Sequence, residues 1–263
     1  MTTLHIHPIP AFRDNYIWII HDTESAVVVD PGDAQPVLDY LRSNQLRLNA
    51  ILITHHHSDH TGGNHTLLKH YDVPVYGPQR ETIPTVTHAL IDNNTVYLET
   101  LSLSLEVIEV PGHTLGHIAY FGTLPGSQKK NILLCGDTLF ASGCGRIFEG
   151  TPQQMFQSLK RLEQLPDDTL VYCTHEYTLS NISFARTVEP GNTELQLQEH
   201  RAKQLRRDNK PTLPSRIATE KTCNPFLRCN QPEIIKMASQ HAGKELNEPL
   251  DVFTALREWK NNF

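Results

Sequence analysis

The chain has no apolar run approaching the roughly 18 residues that a membrane-spanning helix needs, no Cys-x-x-Cys pair among its five cysteines and no excess of basic charge. The first absence excludes a helical membrane protein and implies no membrane partner. An odd cysteine count without paired spacing argues against a disulfide framework and for free thiols in a reducing compartment. A formal net charge of −6 leaves no electrostatic footprint for nucleic acid, and the local cluster Lys203, Arg206, Arg207, Lys210 reads as one solvated helix face. Internal repeats and low-complexity segments are also missing. Met1 to Pro10 lacks the basic-then-apolar layout of a secretory leader, so the expected address is the cytoplasm.

What is present is a globular composition, with 38% hydrophobic residues in 263, enough for a packed core. Short apolar runs read as strands: Leu4 to Ile9, Tyr16 to Ile20, Ala26 to Val29, Ala50 to Ile53, Val73 to Tyr76, Leu105 to Val110, Ile118 to Phe121, Ile132 to Cys135 and Leu170 to Cys173. Helical patterns lie between them, at Pro36 to Ser43 and from about Gly63 to Tyr71. A better-marked helix follows Thr151-Pro152-Gln153-Gln154, which supplies an N-cap, a proline at the first helical position and a capping-box glutamine. Many strands with fewer helices predict two sheets covered by helices.

After His175 the strand-like runs vanish. Helical patterns follow at Ile182 to Val188, from Thr193 to about Asn209 with Thr193-Glu194-Leu195-Gln196 as its opening, from Asn230 with Pro232 and Glu233, and from Pro249 to the end. Lys210 to Arg228 reads as a long loop without clear period. The expected division is therefore a domain over 1–175 and a smaller α-helical one over 176–263.

Histidine is the outlier of the composition at 15 residues. Thr54-His55-His56-His57-Ser58-Asp59-His60 follows the apolar run Ala50 to Ile53, so its ligand-capable side chains gather at a strand end, where binding loops of layered α/β proteins lie. At i, i+2 on extended backbone His55 and His57 point to one side, and Asp59 with His60 can turn toward a neighbouring position. That gives parts of two coordination shells. Three further candidates each follow an apolar run: His113, Asp137 and His175. Five imidazoles and two carboxylates suit Zn²⁺, Fe or Mn²⁺ better than Ca²⁺ or Mg²⁺.

A lone histidine after a strand is more often a satisfied polar residue than a ligand, and only the clustered His-x-His-x-Asp-His spacing changes that weighting. His56 points away from its neighbours on extended backbone and stays outside both shells. His5 and His7 read as structural, and His65, His70, His88, His117, His200 and His241 have no partner spacing. Asp30, closing Val27-Val28-Val29-Asp30-Pro31-Gly32, could hold a ligand imidazole from behind. Cys135 and Cys173 read as small buried hydrophobes.

The segment Thr54 to His60, with His113, Asp137 and His175 in order, resembles the metallo-β-lactamase superfamily, which implies a four-layer αββα sandwich of the α/β class. The resemblance places one metal on His55, His57 and His113, a second on Asp59, His60 and His175, and Asp137 between both. A lactamase proper is expected to carry a cysteine ligand near Asp137; this chain has the aspartate instead. Phe12-Arg13-Asp14-Asn15-Tyr16, Cys135 to Phe140, Gly143-Cys144-Gly145-Arg146, His175-Glu176-Tyr177-Thr178 and Leu256-Arg257-Glu258-Trp259-Lys260 are similar to the glyoxalase II (hydroxyacylglutathione hydrolase) family, over nearly the whole chain.

That likeness implies a hydrolase cleaving S-D-lactoylglutathione and related acyl-glutathiones to D-lactate or another acid and glutathione, in methylglyoxal detoxification. The implied cofactors are two divalent ions, zinc first with iron or manganese as alternatives. A water shared by two ions about 3.5 to 4 Å apart becomes hydroxide at neutral pH, with Asp59 orienting it and accepting its proton. The leaving thiol has a pKa near 8.5 in model peptides, so no dedicated acid is needed. Arg257 and Lys260, three apart on the last helix, are implied to bind the glycine carboxylate of glutathione, with Arg146 joining from the loop after Asp137 and Tyr177 bonding the tripeptide backbone. The expected working unit is a monomer. Rival readings are a glutathione-persulfide dioxygenase with a single iron, a phosphodiesterase or nuclease, and a non-catalytic glutathione- or metal-binding protein.

Overall fold

A computed structural model describes residues 3–126 and 129–263. The chain forms two compact units, Met1–Glu109 with Leu115–Gly136, and Val110–Thr114 with Asp137–Phe263.

In the first unit, six strands make a mixed sheet in sequence order: β1 (His5–Ala11), β2 (Asn15–His21), β3 (Ser25–Val29), β4 (Arg47–Leu52), β5 (Val75–Pro78) and β6 (His88–Leu90). β1 to β3 pair antiparallel, and β3 to β6 run parallel. The parallel connections carry α1 (Ala34–Ser43), and α2 (Ser58–Thr61) with α3 (Asn64–His70). α1 starts where the Asp33 carboxylate accepts from the Gln35 amide, satisfying a donor the helix itself cannot. Its Val37 and Leu41 face a core of Ile17, Ile19, Val28, Ile51 and Ile53. At the central strands both faces are covered, which is why β2 and β3 read as continuous apolar runs rather than alternating ones.

The second set of strands in this unit is antiparallel: β7 (Thr95–Leu98), β8 (Leu103–Glu109), β9 (Ile118–Leu124) and β10 (Lys130–Gly136) pair in that order. The buried Tyr120 hydroxyl on β9 donates to the Ile53 carbonyl at 2.8 Å, pinning this layer to the end of β4.

The second unit begins with a two-strand hairpin, β11 (Leu139–Phe140) and β12 (Gly143–Cys144), then α4 (Pro152–Glu163), β13 (Leu170–Cys173), α5 (Thr178–Val188), α6 (Thr193–Arg207), β14 (Ser215–Arg216), α7 (Ile217–Cys223), α8 (Pro232–Ala242) and α9 (Pro249–Asn261). The capping box foreseen at Thr151 and Gln154 is present in both directions. Its helical core stacks aromatic rings, with Phe184 on Phe226 and Phe226 edge-on to Phe253. All five cysteines are free and buried.

Three sequence expectations shift. Asn192, not Thr193, caps α6, its side chain accepting from the Leu195 amide at 3.0 Å, and Gln231 precedes Pro232 at the start of α8 in place of Asn230. The aperiodic stretch 210–228 contains β14 and α7, because Glu220 is drawn inward to hydrogen bonds that a surface helix would leave to water. Strands β6 and β7 are each too short to show a period in the sequence.

Candidate metal centre

β4 ends at Leu52, and the chain leaves the sheet through buried Ile53 and Thr54. His55 and His60 are fully buried, and the His55 Nε2 and His57 Nδ1 atoms lie 3.1 Å apart. The His60 Nε2 atom lies 3.4 Å from an Asp59 carboxylate oxygen. Asp59 is also gripped by Asn15, whose amide donates to the same oxygen at 3.0 Å.

Asp30 fixes this cluster. It accepts from the Thr54 amide at 2.8 Å, the Thr54 hydroxyl at 2.7 Å and His60 Nδ1 at 3.0 Å. The Thr54 hydroxyl in turn lies 3.1 Å from His55 Nδ1. A hydroxyl that donates to Asp30 accepts from His55 Nδ1–H, so both imidazoles carry their proton on Nδ1 and turn a lone pair outward on Nε2. Asp30 sits at φ 51, a left-handed conformation that an ordinary residue adopts at some cost. Gly32 passes directly over the loop, where a Cβ would lie 1.8 Å from the Asp59 carbonyl oxygen.

The second unit carries a matching cluster. An Asp137 carboxylate oxygen lies 3.5 Å from His113 Nε2 and 3.2 Å from His175 Nε2. His113 Nδ1 donates to the Arg146 carbonyl at 2.7 Å, which again leaves Nε2 as the free lone pair. Gly145 runs under Asp137; a Cβ there would lie 1.8 Å from the Asp137 carbonyl oxygen.

Ligands at about 2.0–2.1 Å from a tetrahedral ion sit about 3.3–3.4 Å from one another. The four donor separations above, 3.1, 3.4, 3.5 and 3.2 Å, match the edges of such a polyhedron. Each unit thus presents a His/Asp cluster whose spacing and nitrogen–oxygen chemistry fit a borderline divalent cation, and a His/Asp site of this kind points to a binuclear centre.

The residues expected at a glutathione site all fall in the second unit. Tyr177 is 37% exposed and stacks flat on His175, ring centroids 4.7 Å apart. Arg146 is exposed, its guanidinium 5.7 Å from the Phe148 ring. Arg257 is buried rather than solvated. It donates to the Cys144 carbonyl at 2.8 Å and lies over the Phe226 ring, while its Nε has no hydrogen-bond partner among the described residues. Lys260 donates to the Ser180 carbonyl at 3.3 Å, and burial, then the charge of Arg257, lowers its pKa to about 8.

Two residues gain a place the sequence did not give them. His117, fully buried, stacks on His55 at 4.6 Å; the signal available was its position just before β9. Asn15, within the segment Phe12 to Tyr16, gains its role as the donor to Asp59. His56 turns to Glu81, 3.0 Å away, and His7 stacks on Tyr40, so neither joins the clusters.

Comparison with known proteins agrees with the fold. Residues 11–175 match the model of the metallo-β-lactamase superfamily, and residues 176–263 match the hydroxyacylglutathione hydrolase C-terminus. A hydroxyacylglutathione hydrolase of Nitrosomonas europaea is 55% identical over 99% of this chain and 97% of its own length. The chain belongs to the hydroxyacylglutathione hydrolase family. Among solved structures, ETHE1 from Myxococcus xanthus shares the fold with a TM-score of 0.63 at 24% identity, covering 98% of this chain and 97% of that one. A protein designated TTHA1623, solved in a di-iron-bound form, is 28% identical with a TM-score of 0.52, over 64% of this chain and 91% of that one. The architecture is accordingly α/β, the αββα sandwich of the superfamily with a helical C-terminal part.

Proposed function

We propose that this family member hydrolyses acyl-glutathione thioesters, S-D-lactoylglutathione foremost, to the free acid and glutathione, using two divalent ions. The observation that carries the reading is near-full-length identity of 55% to a hydroxyacylglutathione hydrolase, joined to a donor set that fits such ions.

His55, His57 and His113 would hold one ion and Asp59, His60 and His175 the other, with Asp137 available to both. Zinc is the proposed metal, with iron or manganese compatible with the same atoms; the di-iron relative supports a two-metal count. When bound, the ions acidify a water and polarise the thioester carbonyl. Asp59, oriented by Asn15, accepts the proton of the attacking water. Asp30 and the Arg146 carbonyl hold the imidazole tautomers that keep Nε2 available. The thiolate of glutathione departs without an acid, because its thiol pKa is near 8.5.

Residues 1–175 supply the metal ligands and residues 176–263 most of the glutathione contacts. Lys260 and Arg257 supply positive charge for the glycine carboxylate, which would restore to Lys260 the solvation that burial removes. Tyr177 and Arg146 flank the tripeptide. The enzyme works as a monomer in the cytoplasm; among the described residues no helix is long and apolar enough to cross a membrane.

The test is thioester cleavage by the purified chain before and after chelation, with metal analysis alongside. Turnover that needs close to two ions per chain and returns when zinc is added back is expected. Metal-independent turnover, or none with any acyl-glutathione, overturns the reading.

A further inference from the structure

The second unit contains a cavity of about 410 Å³ that none of the proposed metal or glutathione ligands lines. Its size lies within the ordinary range for small-molecule sites, about 300–1,000 Å³. Ile182, Leu205, Leu213 and Pro214 give it an apolar wall, and Arg201 on α6 and Arg216 on β14 stand at it. Neither guanidinium makes a hydrogen bond or ion pair among the described residues. Two other cations on α6 are paired, Lys203 with Glu199 and Arg206 with Glu176. In a chain with six more acidic than basic residues, both cations that line the cavity are left without a carboxylate among the described residues.

We propose that this cavity binds a small organic monocarboxylate with an apolar body, its head group held by Arg201 and Arg216 and its body against the aliphatic wall. Arginine forks match a carboxylate in two parallel hydrogen bonds, and an apolar pocket with a few convergent polar groups is how small ligands are held. A dianion is disfavoured by Glu220 in the lining, which is buried and accepts from the Ser142 amide, the Ser215 hydroxyl and the Asn224 amide. When ionised, its carboxylate repels a second negative charge placed beside it. Ser142 sits in the turn between β11 and β12, within the loop from Asp137 to Arg146. A ligand here therefore borders the loop that carries a proposed metal ligand, without occupying the thioester site. The inference does not depend on the proposed reaction.

The experiment is calorimetric titration of the full chain with 4-phenylbutyrate and with its neutral counterpart 4-phenylbutan-1-ol, each with and without saturating glutathione. Saturable binding of the acid is expected, at least tenfold tighter than the alcohol and unaffected by glutathione. The Arg201→Ala/Arg216→Ala variant should lose binding at least tenfold while keeping its unfolding temperature and its thioester kcat/KM. Thr219→Trp, which fills the cavity from its rim, should abolish binding with the arginines intact. Equal binding of acid and alcohol, displacement by glutathione, or unchanged binding in either variant overturns the proposal.

Discussion

Replacing Asp30 is the sharpest trial of how the first cluster is held. Its carboxylate is 2% exposed and accepts three hydrogen bonds, two from Thr54 and one from His60. Asp30→Ala leaves three buried donors without an acceptor, at about 1–3 kcal/mol each, and water entering the vacated space offsets part of that. Alanine at φ 51 adds about 1–2 kcal/mol for a left-handed backbone. A loss of about 3–5 kcal/mol is expected, a large share of the roughly 5–15 kcal/mol that holds a domain together. Asp30→Asn separates folding from function. Asparagine tolerates the left-handed backbone, keeps the volume and keeps one acceptor, but presents an N–H where Thr54 or His60 also presents one. Metal affinity should then fall about 10–100-fold, as His60 loses the partner that fixes its tautomer. The assay is metal retained against a graded chelator, with urea unfolding and thioester kcat/KM measured in parallel. Unaltered retention and kcat/KM in a folded Asp30→Asn chain would refute the argument that this carboxylate sets the ligand geometry.

Other perturbations read other parts of the molecule. Gly32→Ala must displace the Asp59 backbone, given a Cβ at 1.8 Å from its carbonyl oxygen; a shift near 1 Å should lower kcat about 100-fold, and wild-type kcat in this variant would dismiss the close approach. The pKa of Lys260 is lowered to about 8, so the acyl-glutathione KM should rise as pH passes through 8, and KM in Lys260→Gln should be higher and flat there. The same shift means the unfolded chain binds more protons between about 8 and 10.5, so the Lys260 contribution to stability rises with pH across that window. Burial pushes the Glu220 carboxyl up to about 7, so the folded chain binds more protons from about 4.5 to 7 and stability falls as pH rises through it. Glu220→Gln should remove that part of the slope in urea midpoints; an identical slope would show that Glu220 does not titrate in this range.

Much of the fold was legible because its signals are local. The run Tyr16 to Ile20 is strand and Ala50 to Ile53 is strand as far as Leu52, as their unbroken apolar character requires of central sheet positions, and the Thr151 capping box is read from four adjacent residues. The stretch 210–228 was not legible, since α7 shows no apolar period and is held by Glu220 reaching Ser142, 78 residues away in sequence. Arg257 shows the same limit. From sequence it is one of two cations on a terminal helix, whereas packing against Phe226 and bonding to the Cys144 carbonyl make it an interior residue.

The sequence by itself determined the donor chemistry: which imidazoles and carboxylates exist, that His55 and His57 share a side of an extended segment, and that histidine follows strand after strand. Only the tertiary structure decided which nitrogen of each ring is turned outward, because that depends on Asp30 behind His60 and on the Arg146 carbonyl behind His113. Those partners lie 30 and 33 residues away. Local pattern cannot carry such information, since a hydrogen bond depends on where two chain segments meet and not on how far apart they are spelled.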